Sequence, residues 1–253
     1  MNNKKVIWIT GASSGIGKSV ALKFAKEGWI VAASARRKKL LEQLQSVNEN
    51  IYSFPLDVTD RYECKNVFNN ILKKFNKIEI CLFCTGIHDP LSEKKFNLDK
   101  IRKIIEVNFF GIMNTVDSIY EDFKDKKSGQ ISIVSSVAGY RGLPGAAAYC
   151  SSKSALISFA ESLHFEMKNF NVRVSIINPG FIKTPMTDEN NYSMPMIKSP
   201  EFAANQIYKG LVKSNDFEIH FPKKFTFLMK ILKILPSSLY FRIVKFGLKT
   251  INY

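Results

Sequence analysis

Short apolar runs alternate with helix-period stretches along most of the chain. Lys5 to Thr10 reads as a buried strand, and Gly15 to Glu27 as a helix whose apolar Ile16, Val20, Leu22, Phe24 and Ala25 recur at helical spacing until Gly28 closes it. The alternation continues with a strand Ile30 to Ala35, a helix Lys38 to Ser46, a strand Ile51 to Leu56, a helix Asp60 to Lys74 and a strand Ile78 to Cys84. One long helix is expected over Leu98 to Phe123, followed by a strand Ile131 to Val134, a helix Ala148 to Lys168 and a strand Val172 to Ile177. Asn178-Pro179-Gly180 breaks that strand, and Lys183 to Lys198 has no clear period, which reads as a mobile lid. A helix Pro200 to Val212 and a strand Phe217 to Phe221 end the series. Such alternation demands right-handed crossovers, so the pattern predicts an α/β fold: a parallel sheet with helices on both faces.

The pattern changes after Phe221. Lys223, Thr226, Lys230 and Lys233 put a narrow polar stripe on an otherwise apolar helix, Pro236 interrupts it, and Ser238, Arg242, Lys245 and Lys249 repeat the stripe on a second helix. No stretch reaches the ~18 uncharged apolar residues that a spanning helix needs. Two readings stay open for this basic amphipathic extension over 222–253: it lies on an anionic membrane surface, or it packs on the core or across a dimer.

Composition fits a single large core, with 253 residues of which 45% are hydrophobic. The formal net charge of +15 raises the question of an anionic partner, but seven of the Lys/Arg residues, with no Asp or Glu, lie between Phe221 and Tyr253. The excess is therefore a local tail effect, and with basic residues interleaved among aliphatics no nucleic acid partner is expected. At the N-terminus Lys4-Lys5 precedes only Val6-Ile7-Trp8-Ile9 before polar sequence, too short for a secretory signal, so a cytoplasmic location is expected, peripheral at the inner face of a membrane if the tail binds lipid. Four cysteines suit that reducing compartment; Cys81 and Cys84 fall in one strand, facing opposite sides, and no metal site is expected.

Chemistry enters through two constellations. After the first strand, Thr10-Gly11-Ala12-Ser13-Ser14-Gly15-Ile16-Gly17 supplies what a phosphate-bearing cofactor needs: a tight turn, close backbone approach and free N–H groups at a helix N-terminus. Further on, Tyr149 and Lys153 lie four residues apart on one helix face, with Ser136 thirteen residues upstream of Tyr149. A phenol with an ordinary pKa of about 10 needs roughly 4 kcal/mol of differential stabilisation to act as an acid–base group near neutrality. One ammonium about 4 Å away, at an effective dielectric of ~20, is worth that much. The two constellations together predict a nicotinamide-dependent carbonyl/alcohol oxidoreductase. A serine-hydrolase reading fails for lack of partners, since the histidines are only His88, His164 and His220.

At the end of the second strand stand Arg36 and Arg37, with no acid until Glu42. A carboxylate there would read the ribose 2′-OH of NAD, whereas a guanidinium suits the 2′-phosphate of NADP, so NADP (NADPH) is preferred and NAD is the alternative.

The T-G-x-x-x-G-x-G turn with Tyr149-x-x-x-Lys153 resembles the short-chain dehydrogenase/reductase family over residues 5–221. The resemblance implies a Rossmann-type doubly wound parallel sheet of about seven strands in a catalytic domain over residues 1–221. It also implies roles: Tyr149 protonates the carbonyl oxygen, Lys153 tunes it and holds the nicotinamide ribose, Ser136 hydrogen-bonds the substrate oxygen, and Asn108 orders a proton-relay water. Cofactor contacts carried over the same way are Gly11, Ser13, Ser14, Gly15, Ile16 and Gly17 in the turn, Arg36 and Arg37, the adenine pair Asp57-Val58, Gly86, and the nicotinamide-side Pro179, Gly180, Ile182 and Thr184. Where the family has Asn-Asn-Ala-Gly, this chain has Phe83-Cys84-Thr85-Gly86, which keeps only the glycine. A small-molecule or lipid carbonyl or alcohol is the expected substrate, and homodimers or homotetramers through the Asn108 and Tyr149 helices are the expected assembly. A catalytically silent cofactor sensor or membrane scaffold on the same fold is the competing reading; such a binder would not need all four catalytic side chains.

Overall fold

The computed structural model describes residues 4–89, 96–188 and 194–250, with side chains through residue 246. Seven strands form one sheet in the order β3-β2-β1-β4-β5-β6-β7: β1 (Val6–Thr10), β2 (Ile30–Ser34), β3 (Ile51–Ser53), β4 (Ile80–Phe83), β5 (Gln130–Val134), β6 (Arg173–Pro179) and β7 (Glu218–Phe221). Every neighbouring pair is parallel. This is the Rossmann-type architecture expected.

Strand alternation sorts the core into two layers. From β1, Ile7 and Ile9 face one side with α1 (Gly15–Lys26), α2 (Lys38–Val47) and α8 (Pro200–Lys213); Val6 and Trp8 face the other, toward α3 (Arg61–Phe75), α5 (Gly111–Lys126) and α6 (Ala147–Lys168). The cysteines follow the same rule, Cys81 lying in one layer and Cys84 against the other. Both thiols are pushed up by burial, that of Cys84 to about 11.

Three expectations are corrected: β6 continues through Asn178 and Pro179, which pair with His220 and Phe221 instead of breaking the strand, and two further elements differ. The single helix over Leu98 to Phe123 is instead α4 (Leu98–Ile105), a π-helical turn Glu106–Phe110, and α5. β3 is only three residues long, because an edge strand is held from one side; past Ser53 the backbone still bonds β2, Phe54 N–H to Ala33 O at 2.9 Å and Leu56 N–H to Ala35 O at 3.1 Å, without strand geometry. Residues 189–193 of the expected lid lie outside the described residues. Its described part holds a short helix α7 (Pro185–Asp188) and is tied across its base, Lys183 N–H to Lys198 O at 2.9 Å and Lys198 N–H to Phe181 O at 3.0 Å.

The tail forms α9 (Lys223–Ile234) and α10 (Ser237–Thr250). One side of α9 joins the α6 layer through Phe225 and Met229, so the extension does pack on the core. Among the described residues no helix is long and apolar enough to cross a membrane.

Candidate functional site

Strand order reverses between β1 and β4, and the crevice outside their C-terminal ends is where a doubly wound sheet binds ligands. A cleft of about 470 Å³ opens there, lined by residues that follow β1 through β6. Every cofactor position expected from the sequence lines it, as do Ser136, Tyr149 and Lys153.

The β1–α1 turn cannot carry side chains where its glycines stand. Gly11 has φ +70°, and a Cβ there would meet Cys84 O at 2.8 Å; one on Gly17 would fall 2.3 Å from Gly11 O. The resulting turn leads directly into α1, whose first N–H groups and positive dipole end face the cleft mouth. Arg37 closes over it, donating through Nη2 to Ser13 Oγ at 2.8 Å and Ser14 Oγ at 2.6 Å. Arg36 reaches only to 4.0 Å from Asp57 Oδ2. This cradle and its paired guanidinium groups fit a phosphate-bearing nucleotide.

The chemical end is built by α6 against β4 and β5. Lys153 is 4% exposed, its Nζ donates to Val134 O at 3.0 Å and lies 5.7 Å from the Tyr149 ring centroid. Burial lowers the ammonium to about 8, slightly opposed by the Cys84 thiol. Ser136 lies two residues past β5, where its hydroxyl accepts from Ala138 N–H at 3.1 Å and caps a short 3₁₀ turn.

Asn108 does not line the cleft; it stands behind it, fully buried in the π-helical turn. Its Oδ1 accepts from Ile87 N–H at 2.7 Å, while Nδ2 donates to Ile87 O at 2.9 Å and Ser152 Oγ at 3.1 Å. Ser152 in turn donates to Tyr149 O at 2.7 Å. The buried amide is thus satisfied, and it couples the loop after β4 to the α6 turn that carries Tyr149. Gly86, the one retained residue of the departing motif, lies beside both groups: a Cβ there would stand 3.4 Å from Lys153 Nζ and 3.5 Å from Asn108 Oδ1, ordinary contact distances. The Thr10 hydroxyl ties the β1 end to this segment, accepting from Cys84 N–H at 3.2 Å.

Three residues join the site beyond those assigned from the sequence. His88 packs its ring on Tyr149 with centroids 4.7 Å apart, and burial lowers its pKa. Ser135 donates to Lys153 O at 2.7 Å and fixes the first turns of α6. Thr187 organises the nicotinamide-side loop, accepting from Thr184 N–H at 2.8 Å and donating to Ile182 O at 2.8 Å. His88 carried a signal as a histidine just past a central strand, and Ser135 as the neighbour that competes with Ser136, whereas Thr187 carried none.

The sequence profile of the short chain dehydrogenases matches residues 5–194. The chain is 34% identical over 189 residues to 3-oxoacyl-[acyl-carrier-protein] reductase FabG of Thermotoga maritima, covering 73% of this chain and 77% of that one. It is 30% identical over 226 residues to 3-ketodihydrosphingosine reductase of Mus musculus, covering 82% and 68% respectively. Among solved structures, ElxO with NADP bound superposes with a TM-score of 0.75 at 28% identity, covering 86% of this chain and 97% of that one.

Proposed function

The chain belongs to the short-chain dehydrogenase family and is an oxidoreductase; from that premise we propose an NADPH-dependent reductase of a ketone on a hydrophobic, lipid-type chain. The observation that carries the reading is the buried Lys153 ammonium beside Tyr149 in a cleft that ends in a phosphate cradle.

When bound, reduced nicotinamide supplies a hydride to the carbonyl carbon. The chain supplies the rest. Ser136 donates a hydrogen bond to the carbonyl oxygen, which positions it and polarises the C=O bond. As the C–O bond becomes an alkoxide, the Tyr149 hydroxyl gives it a proton, and the phenolate left behind is favoured by the neighbouring ammonium. Lys153 must therefore turn from Val134 O toward the ribose and phenol as the ligands enter. Asn108 holds Ile87 by both backbone groups and so fixes the loop bearing His88 against Tyr149. The phenol regains its proton from solvent.

The preference for NADPH rests on Arg36 and Arg37, whose forks suit a 2′-phosphate, and is supported by the NADP in the ElxO structure. The substrate class is supported by two relatives whose names specify a 3-oxoacyl group and 3-ketodihydrosphingosine. Exposed Phe110 and Phe165 fit self-association through the π turn and α6.

Following NADPH absorbance against 3-keto acyl and sphingoid substrates, wild type beside Tyr149→Phe, tests the reading. The variant should lose about 10³-fold in kcat with little change in KM. Equal turnover by the two proteins would remove Tyr149 as the acid.

A further inference from the structure

Each tail helix buries one side and leaves an apolar stripe on another. On α9, Phe225, Thr226 and Met229 are buried, whereas Phe227, Ile231 and Ile234 stand 65%, 41% and 79% exposed. α10 repeats the arrangement: Tyr240 is buried with its hydroxyl on Gly142 O, while Leu239, Ile243 and Phe246 are 44%, 42% and 76% exposed. Both trios fall at i, i+4 and i+7, which places each along a single helix face. Scattered exposed aliphatics need no explanation, but two continuous stripes on consecutive helices mark a contact surface.

The pair is presented by a fixed scaffold. Arg141 donates to Leu232 O at 2.9 Å and Leu235 O at 2.6 Å at the end of α9, donates to Ser237 Oγ at 3.2 Å at the start of α10, and sits 4.1 Å over the Tyr240 ring. At the other end Phe225 packs on Phe181 with centroids 5.5 Å apart, and a Cβ on Gly180 would meet it at 2.7 Å. The surface therefore adjoins the loop that closes the cleft.

Charge selects the occupant. Lys224, Lys233, Arg242 and Lys245 are exposed beside the stripes, and the sequence from Phe221 onward contains no Asp or Glu. A second copy of this surface would set cations against cations with no carboxylate to receive them. Anionic lipid offers the complement to both features, apolar depth for the aromatic residues and phosphate for the bases.

We propose that α9 and α10 form a docking surface for an anionic lipid bilayer, with Phe227, Ile231, Ile234, Leu239, Ile243 and Phe246 entering the headgroup boundary. The proposal goes beyond the reductase reading and does not depend on it.

Cosedimentation of the full chain with phosphatidylglycerol vesicles, with phosphatidylcholine vesicles as the neutral control, tests it. Wild type should partition onto the anionic vesicles. A Phe227→Glu/Ile231→Glu/Phe246→Glu variant should bind at least about 100-fold more weakly, and Lys224→Gln and Arg242→Gln about fivefold more weakly each. The glutamine variants carry the test alone if the glutamates disturb folding, and all variants should keep wild-type turnover of a small soluble ketone. Absence of wild-type binding, or equal binding by the variants, overturns the proposal. So does a wild-type dimer that the glutamate variant splits in sedimentation velocity without any vesicle binding, since that assigns the surface to a second copy. Because vesicle binding is read without substrate, a protein that reduces no ketone yet binds lipid sinks only the reductase reading.

Discussion

Lys153 on α6 and Lys230 on α9 are both drawn into the fold, and their surroundings differ in kind. Lys230 meets Glu218 of β7, whose carboxylate also accepts from the Tyr140 hydroxyl and, at 2.7 Å, from Asn178 Nδ2. Burial alone would raise the Glu218 carboxyl, yet Lys230, Tyr140 and Asn178 together hold it below its ordinary value. Lys153 is more deeply buried and has a backbone carbonyl as its partner, with no carboxylate among the described residues to offset desolvation. The cation that joins the tail to the sheet is neutralised by the protein itself. The cation in the cleft is left with its charge unmatched, which costs stability and leaves it available to a ligand and a phenolate.

Replacing Lys153 by Met tests that contrast most severely, because the two halves of the effect have opposite signs. Turnover should fall about 10³-fold. Stability at pH 7 should rise, since a shift from 10.5 to about 8 corresponds to up to about 3 kcal/mol opposing the folded state. Below pH 8 the lysine is charged in both folded and unfolded chains and its full penalty applies. Between about 8 and 10.5 the folded chain sheds the proton first, so this lysine's penalty fades as pH rises. Urea midpoints of wild type and Lys153→Met should therefore converge across that window. Parallel curves, or a variant less stable than wild type at pH 7, would mean that Lys153 is structurally satisfied after all.

Glu218→Gln probes the other member of the comparison. It leaves the part-buried Lys230 without its counter-ion and weakens the acceptor for Tyr140, so a loss of about 2 kcal/mol is expected, with kcat within about twofold of wild type. A denaturation midpoint unchanged from wild type would reduce the clamp to a surface ion pair.

Sequence reasoning reached the cleft cation more fully than the clamp, for a physical reason. Tyr149 and Lys153 are four residues apart on one helix, and the glycine turn is a single local segment, so spacing alone brings their groups together. The two-layer core was legible too, because a strand buried on both faces is an unbroken apolar run such as Val6 to Ile9. Glu218 and Tyr140 are 78 residues apart, and Arg141 reaches α10 across 96. Such pairings are set by tertiary packing and leave no period. The π-helical turn was invisible for a related reason: a single widened turn adds no repeat, and the contact of Asn108 with Ile87 that it carries joins residues 21 apart. The tail was half read, its basic stripe seen but not which side of α9 would meet the core.

A third cationic position extends the comparison at lower stakes. Arg37 is held by two serine hydroxyls rather than a carboxylate, so like Lys153 it is positioned without being neutralised. If unmatched cations in this fold mark ligand charge, Arg37→Ser should raise KM for NADPH about tenfold, the worth of one exposed charge-assisted contact, and leave KM for NADH nearly unchanged. Arg36, already loosely drawn to Asp57, should show the same selectivity with a smaller change. An equal rise for both coenzymes would instead assign Arg37 to bracing the glycine turn through Ser13 and Ser14. In that case its missing carboxylate would be an accident of strand ending and not a sign of the 2′-phosphate.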